Sequence, residues 1–314
     1  MKHIIAFGEC MIELKEAGHG NYHRSFAGDV YNSCVYMQRF LHRRHGGHCK
    51  VSFVTAVGHD SISDEMLVEW ENECLDTSLV FRCDDHRPGL YMITTDERGE
   101  RSFSYWRNQS AARQTMKLLR KRYDAETFPR ADIFYFSGIS MAILDEEDRA
   151  FFLNFVKDLR RLGVRISFDP NYRSLLWDSA VQARRWLEAC YQVSDIAFPG
   201  LDDHQTLFGH ENWQQVHTAL LSYGVGEMVI KAGEAGMFGW CDGAAFQLPF
   251  APAEKCVDTT AAGDSFSGTY LACRAEGMAP DKAVGMAAKV AGFVVSYSGA
   301  IVPAPVFDRF VGKL

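Results

Sequence analysis

From about residue 130 onward, short apolar runs alternate with amphipathic stretches. This is the pattern of strands buried on both faces of a parallel sheet, with helices packed against it. Residues 131–140, ADIFYFSGIS, read as a strand. Asp145-Glu146-Glu147-Asp148 then opens a helix. Its acid suits a helix N-terminus, Phe151, Phe152, Phe155, Val156, Leu159 and Leu162 form an apolar stripe, and Gly163 ends it. Val164 to Asp169, Asp195 to Phe198 and Glu227 to Ala232 read as three further strands, and His3 to Gly8 as the first. Each of the three is followed by turn residues where an open α/β sheet has its ligand crevice, so functional residues are expected just after them. Between about Val80 and Asn108 the texture changes. Pro88 to Thr95, a turn at Asp96-Glu97-Arg98-Gly99, and Glu100 to Arg107 predict an antiparallel hairpin that fits a β-lid, with Phe103, Tyr105 and Arg107 on one face. No repeat or Pro/Ser-rich linker divides the chain, which reads as one α/β domain over 1–314.

Composition narrows the function. The 314 residues are 47% hydrophobic and 23% charged, ordinary for a globular chain with one large core. A net charge of -7 argues against nucleic acid as a partner, so any anionic ligand must be drawn by local Arg or Lys. The nine cysteines are scattered and contain no CxxC, which suits reduced thiols in a cytoplasmic protein. The apolar start is too short for a signal peptide, and no run approaches the ~20 residues of a membrane helix. His42, His45 and His48 lie among Arg43, Arg44, Gly46 and Gly47 and read as an exposed turn rather than a metal site.

The densest chemistry is Asp258-Thr259-Thr260-Ala261-Ala262-Gly263-Asp264. Ala253 to Val257 read as an approach strand, and Ser265 to Cys273 continue at helical spacing. The amides of Ala261, Ala262 and Gly263 would then open a helix, with no bulky side chain to keep a phosphate away. Asp264 beside such an anion cradle either takes a proton from an attacking hydroxyl or merely caps the helix. The chain has no GxxxxGK[ST], HRD or DFG motif, which excludes a Walker cradle and a protein kinase.

DTTAAGD followed by Ser265-Phe266 and a helix resembles the C-terminal signature of the ribokinase-like (PfkB) sugar kinases. Phe26-Ala27-Gly28-Asp29-Val30-Tyr31-Asn32 resembles their N-terminal Gly-rich signature. The resemblance spans the whole chain. It implies a central, mostly parallel sheet flanked by helices, with a small β-lid formed by about 10–26 and 80–108 that covers the sugar. It implies Asp264 as catalytic base, an anion hole at Ala261, Ala262 and Gly263, and sugar contacts from Gly28, Asp29 and Asn32. Lys231-Ala232-Gly233-Glu234-Ala235-Gly236 resembles the family's KxGxxG turn, where nucleotide lies against backbone, and Thr260 joins this ATP-binding group. Many relatives carry an NxxE motif that organises Mg²⁺ through water. Here the matching stretch is Gly200-Leu201-Asp202-Asp203, in which Asp203 stands for the Glu and Gly200 does not replace the Asn. Asp258 and Thr260 match positions implicated in binding a monovalent cation such as K⁺.

A neutral sugar needs hydrogen-bonding Asp and Asn, whereas a sugar acid calls for Arg, whose fork meets a carboxylate in two parallel bonds. Arg107 in Tyr105-Trp106-Arg107 and Arg173 in Asp169-Pro170-Asn171-Tyr172-Arg173 resemble the acid-binding residues of the 2-keto-3-deoxygluconate kinases, and Tyr91 and Tyr105 join them. The opening Phe7 to Leu14, Ser137 to Ser140 and the ending Gly299 to Pro303 look like the same subgroup. The resemblance therefore implies an ATP-dependent sugar-acid kinase, with a kinase of a neutral ketose or nucleoside, or a catalytically silent sugar-acid sensor, as rivals. Arg173 is open to a role as a surface salt bridge, Tyr91 to lid packing, and Tyr105 and Arg107 to a dimer interface. A lid hairpin with little core of its own is expected to pack against another lid in a homodimer or higher homo-oligomer.

Overall fold

The computed structural model describes residues 2–45, 49–95 and 101–314. Its strands, in chain order, are β1 Lys2–Phe7, β2 Met11–Glu16, β3 Tyr22–Ala27, β4 Cys49–Val57, β5 Val80–Arg82, β6 Leu90–Thr95, β7 Arg101–Trp106, β8 Ile133–Ser137, β9 Arg165–Asp169, β10 Ile196–Ala197, β11 Glu227–Lys231, β12 Met237–Cys241 and β13 Ala244–Leu248. Among the described residues nine strands form one sheet in the order β13-β12-β11-β10-β9-β8-β1-β4-β5. It is parallel from β11 to β5, and β12 and β13 extend it antiparallel.

Alternation along β1 shows why helices cover both faces. Ile4 and Ala6 enter one core with the helices Asp29–His45, Ala262–Ala275 and Pro280–Val294, while Ile5 and Phe7 enter the other with Glu146–Arg161 and Ala180–Val193. The central strands are thus withdrawn from water on both faces, as a continuous apolar run requires. The helix after the acidic run is built as the sequence predicts: Asp145 accepts from the Asp148 amide at 2.9 Å, and Gly163 leaves it at φ +88°.

A second sheet, β3-β2-β6-β7, stands over the carboxyl ends of the first. It is the expected lid, with one correction. Val80–Arg82 pairs with β4 in the main sheet, so the lid's second stretch begins at Leu90 and not near residue 80. In the lid Tyr91 faces Tyr105 across the β6–β7 ladder. The predicted turn at residues 96–99 lies outside the described residues.

Three further readings change. Residues 253–257 form no strand; the chain runs without regular structure from the end of β13 to the helix at Ala262. Gly138 to Ser140 open a short helix instead of prolonging β8. The helix Asp29–His45 takes in His42, Arg43, Arg44 and His45, correcting the predicted turn there, and His42 is exposed on it, while Gly46, Gly47 and His48 lie outside the described residues. None of the nine cysteines is in a disulfide. Among the described residues no helix is long and apolar enough to cross a membrane.

Candidate active site

A cavity of about 1160 Å³ opens between the lid and the carboxyl ends of the main sheet. That exceeds what one small ligand occupies and leaves room for two lying end to end.

Its floor is built where two helices begin. The helix Ala262–Ala275 has Ala261 at its N-cap with φ +60°, a left-handed conformation that costs an L-residue roughly 1–2 kcal/mol, and no side chain caps it. Asp264 in its first turn accepts a hydrogen bond from Asn32 Nδ2 at 2.8 Å. Asn32 stands in the first turn of Asp29–His45, where Gly28 precedes it. A Cβ on Gly28 would fall 2.1 Å from Glu9 O, so the backbone passes there only as glycine. Asp29 Oδ2 accepts from Asn171 Nδ2 at 3.0 Å. Gly263 faces Lys231, its would-be Cβ 3.8 Å from Nζ.

Three carboxylates, Asp29, Asp169 and Asp264, therefore crowd the floor around one ammonium, Lys231, which pairs with Asp169 at 3.0 Å. Burial pushes the Asp264 carboxyl up to about 8, with repulsion from Asp29 adding to it, while the Asn32 bond and Lys231 pull the other way. Burial also raises Asp29, against its bonds from Ser137 and Asn171. Asp169 is further tied by Ser267 Oγ at 2.9 Å.

Above the floor, the lid contributes Tyr91, Phe103, Tyr105 and Arg107. The rings of Tyr91 and Tyr105 stack at 5.7 Å, and Phe103 and Tyr105 at 6.4 Å, so the predicted common face exists. The Tyr91 hydroxyl donates to Glu13, leaving it only acceptor capacity toward the pocket. Arg107, only 7% exposed, pairs with Glu9 beneath the Tyr105 ring and has a buried Nε without a hydrogen-bond partner. Arg173 is exposed at the mouth, its Nη1 donating to Tyr172 O at 3.2 Å.

The far end of the cavity carries Gly200, Asp203, Gly233 and Thr260. Asp203 Oδ2 accepts from the Tyr172 amide at 3.2 Å, and burial raises its carboxyl. A Cβ on Gly200 would meet Asp203 only at ordinary contact, 3.6 Å, so nothing steric excludes a side chain there. Among the described residues no group of three or more His, Cys, Asp or Glu is disposed to hold a metal ion.

Two predicted site residues are not at the cavity wall. Gly236 makes the turn into β12: at φ +91°, its Cβ would lie 2.4 Å from Leu248 O, so the backbone passes there only as glycine. Asp258 lies behind the wall, where Oδ1 accepts from the Thr260 amide at 3.0 Å and Oδ2 from the Gly299 amide at 2.9 Å. Lys15 of the lid stands 3.8 Å from that carboxylate. The Ala262 amide already reaches Thr259 O at 3.2 Å and is the engaged member of the expected anion hole. Conversely, Glu9, Asp169 and Asn171 are at the wall although sequence reasoning gave them no role. All three follow or end a strand at its carboxyl edge, and that position was the available signal.

A model of the pfkB family carbohydrate kinases matches residues 1–306. The 2-dehydro-3-deoxygluconokinase of Dickeya dadantii (strain 3937) is 40% identical over 305 residues, covering 96% of this chain and 97% of that protein. The enzyme of the same name from Escherichia coli (strain K12) is 39% identical over 308 residues, with 96% and 97% covered. In fold, the chain resembles the aminoimidazole riboside kinase of Salmonella enterica solved with aminoimidazole riboside and an ATP analog, at a TM-score of 0.81 and 20% identity over 99% of each chain. With the two sheets, the uncapped helix at Ala262 and Asp264 inside one cavity, these matches make the chain a member of the pfkB family of carbohydrate kinases.

Proposed function

We propose that the protein transfers the γ-phosphoryl group of ATP to the 6-hydroxyl of 2-keto-3-deoxygluconate. The observation that carries this reading is the sharing of one cavity by Asp264, at an uncapped helix start, and two arginines, Arg107 and Arg173. A hydroxyl beside Asp264 gives its proton to the carboxylate as its oxygen attacks the phosphorus in line with the departing ADP oxygen. The carboxyl, raised by burial, is a stronger base than an ordinary aspartate once ionised. Helix-start amides and Lys231 face the negative charge of the transferring group, and lid and floor together exclude water. Asp203, a carboxylate lining the cavity, would hold a Mg²⁺ through water, and the ion would supply neutralisation of phosphate charge. At the sugar's other end Arg107 and Arg173 meet the carboxylate, while Tyr91 accepts from a hydroxyl.

One observation favours a neutral sugar instead: Arg107 already has Glu9 as counter-ion. Initial rates with 2-keto-3-deoxygluconate, fructose and ribose decide. A neutral sugar used as efficiently as the acid removes the sugar-acid assignment, and ATP consumption with none of them supports a silent sensor. A K⁺ beside Asp258 and Thr260 is part of the proposal, although the Lys15 ammonium lies against the same carboxylate. Equal kcat in Na⁺ and K⁺ would remove it. Cysteines outside any disulfide support a cytoplasmic setting.

A further inference from the structure

Glu9 is nearly inaccessible, 2% exposed, and sits two residues beyond β1, at the seam of main sheet and lid. One carboxylate oxygen accepts from Arg107 Nη2 and the other from Ser110 Oγ. Gly89 makes room for this pair. A Cβ there would lie 3.1 Å from Glu9 Oε1 and 3.2 Å from Arg107 Cβ, tighter than side chains normally pack. The guanidinium is thus gripped from the protein side at Nη2, while its Nε stays buried without a partner. A buried donor left unmatched in a cavity wall points to a ligand acceptor.

Resting on the sugar-acid reading above, we propose that Glu9 is a positioning and selectivity residue, which holds Arg107 by one nitrogen so that the rest of its fork is presented to the substrate carboxylate. The charge bookkeeping fits one anion. Arg107 and Arg173 bring two positive charges, Glu9 cancels one, and a single carboxylate cancels the other. Without Glu9 the guanidinium has no fixed direction in the lid, and two parallel bonds demand direction more than charge. Glu9 itself touches no reacting atom, so its influence belongs in substrate binding and not in the chemical step.

The test is steady-state kinetics of Glu9→Gln, Glu9→Ala and Ser110→Ala with 2-keto-3-deoxygluconate and with fructose, after each variant is checked by circular dichroism. Gln keeps an oxygen for Nη2, so its KM for the acid is expected within about threefold of wild type. Ala removes the grip, and KM for the acid is expected to rise about ten- to hundredfold with kcat changed much less, as for losing charge-assisted bonds. Ser110→Ala, which loosens only one oxygen of Glu9, is expected to raise KM a few-fold. KM for fructose should stay within about twofold throughout, as expected for a sugar with no carboxylate to lose. Equal effects of Gln and Ala, or equal rises for acid and fructose, would show Glu9 to be structural. Should Ala fail to fold, an unchanged KM in Ser110→Ala together with a tenfold rise in Gln overturns the proposal. If the wild type does not prefer the acid, the sugar-acid reading itself has failed; if it does and Glu9→Ala keeps its KM, only the role of Glu9 has.

Discussion

At the scale of single residues, the proposed base Asp264 would set both rate and pH response. With its carboxyl raised to about 8, the base form is the minority at neutral pH, and kcat/KM should climb with unit slope up to about pH 8 before levelling. Asp264→Asn should lower kcat by roughly 10²- to 10⁴-fold with little change in sugar KM, and near-normal turnover would return Asp264 to a capping role. Stability follows with an unusual sign. A carboxyl whose folded value lies above its ordinary 3.8 binds more protons folded than unfolded between the two, so its contribution is complete below about pH 4 and is lost as pH rises toward 8. At pH 9 the empty Asp264→Asn protein should therefore melt higher than wild type, by ~2–4 °C for each kcal/mol recovered. Equal melting temperatures at pH 9, checked by scanning calorimetry, would mean the carboxyl is ordinary. The sequence made Asp264 legible because a carboxylate beside an anion cradle is chemically odd. It could not show that Arg107 is already paired, since Glu9 lies 98 positions away and only the fold joins them.

At the scale of elements, long apolar periodicities were legible and short or irregular ones were not. The strands at 165–169 and 227–231 and the helix 146–161 declare themselves by burial on two faces or one stripe. Residues 253–257, Ala-Glu-Lys-Cys-Val, set two charged side chains inside a short run and pair with no strand as the chain crosses to the helix at Ala262. That crossing is held by loop contacts, the Val257 and Asp258 amides donating to Val295 O at 2.8 and 3.1 Å. Tyr36, buried in the helix Asp29–His45, donates to Ala300 O at 2.8 Å and accepts from the Val302 amide at 3.1 Å, tying the C-terminal loop to the helix that carries Asn32. Tyr36→Phe leaves both backbone groups without that partner and should cost ~1–3 kcal/mol, seen as a lower urea midpoint at unchanged slope. A midpoint within error of wild type would show that water replaces the phenol.

At the scale of the whole molecule, the lid is a four-stranded sheet with two open edges, β3 and β7, and with Tyr22 and Trp106 exposed at 44% and 58%. Open edges and exposed aromatics favour pairing with a second copy, so light scattering is expected to give a dimer or larger; a strict monomer at working concentration would remove this prediction. The main sheet's α/β class was readable from alternation, whereas its strand order depends on contacts between segments far apart in the chain and left no local mark.

The left-handed Ala261, the crowded carboxylates and the partnerless Nε of Arg107 all lie around one cavity. A laboratory evolving this protein for heat resistance without its substrates would find its easiest gains there, by relaxing that turn or neutralising those acids. Each such gain would remove part of the proposed catalytic site. Selection in the presence of sugar and nucleotide, whose binding offsets the same costs by mass action, would steer the improvements into the helices and loops and leave the kinase intact.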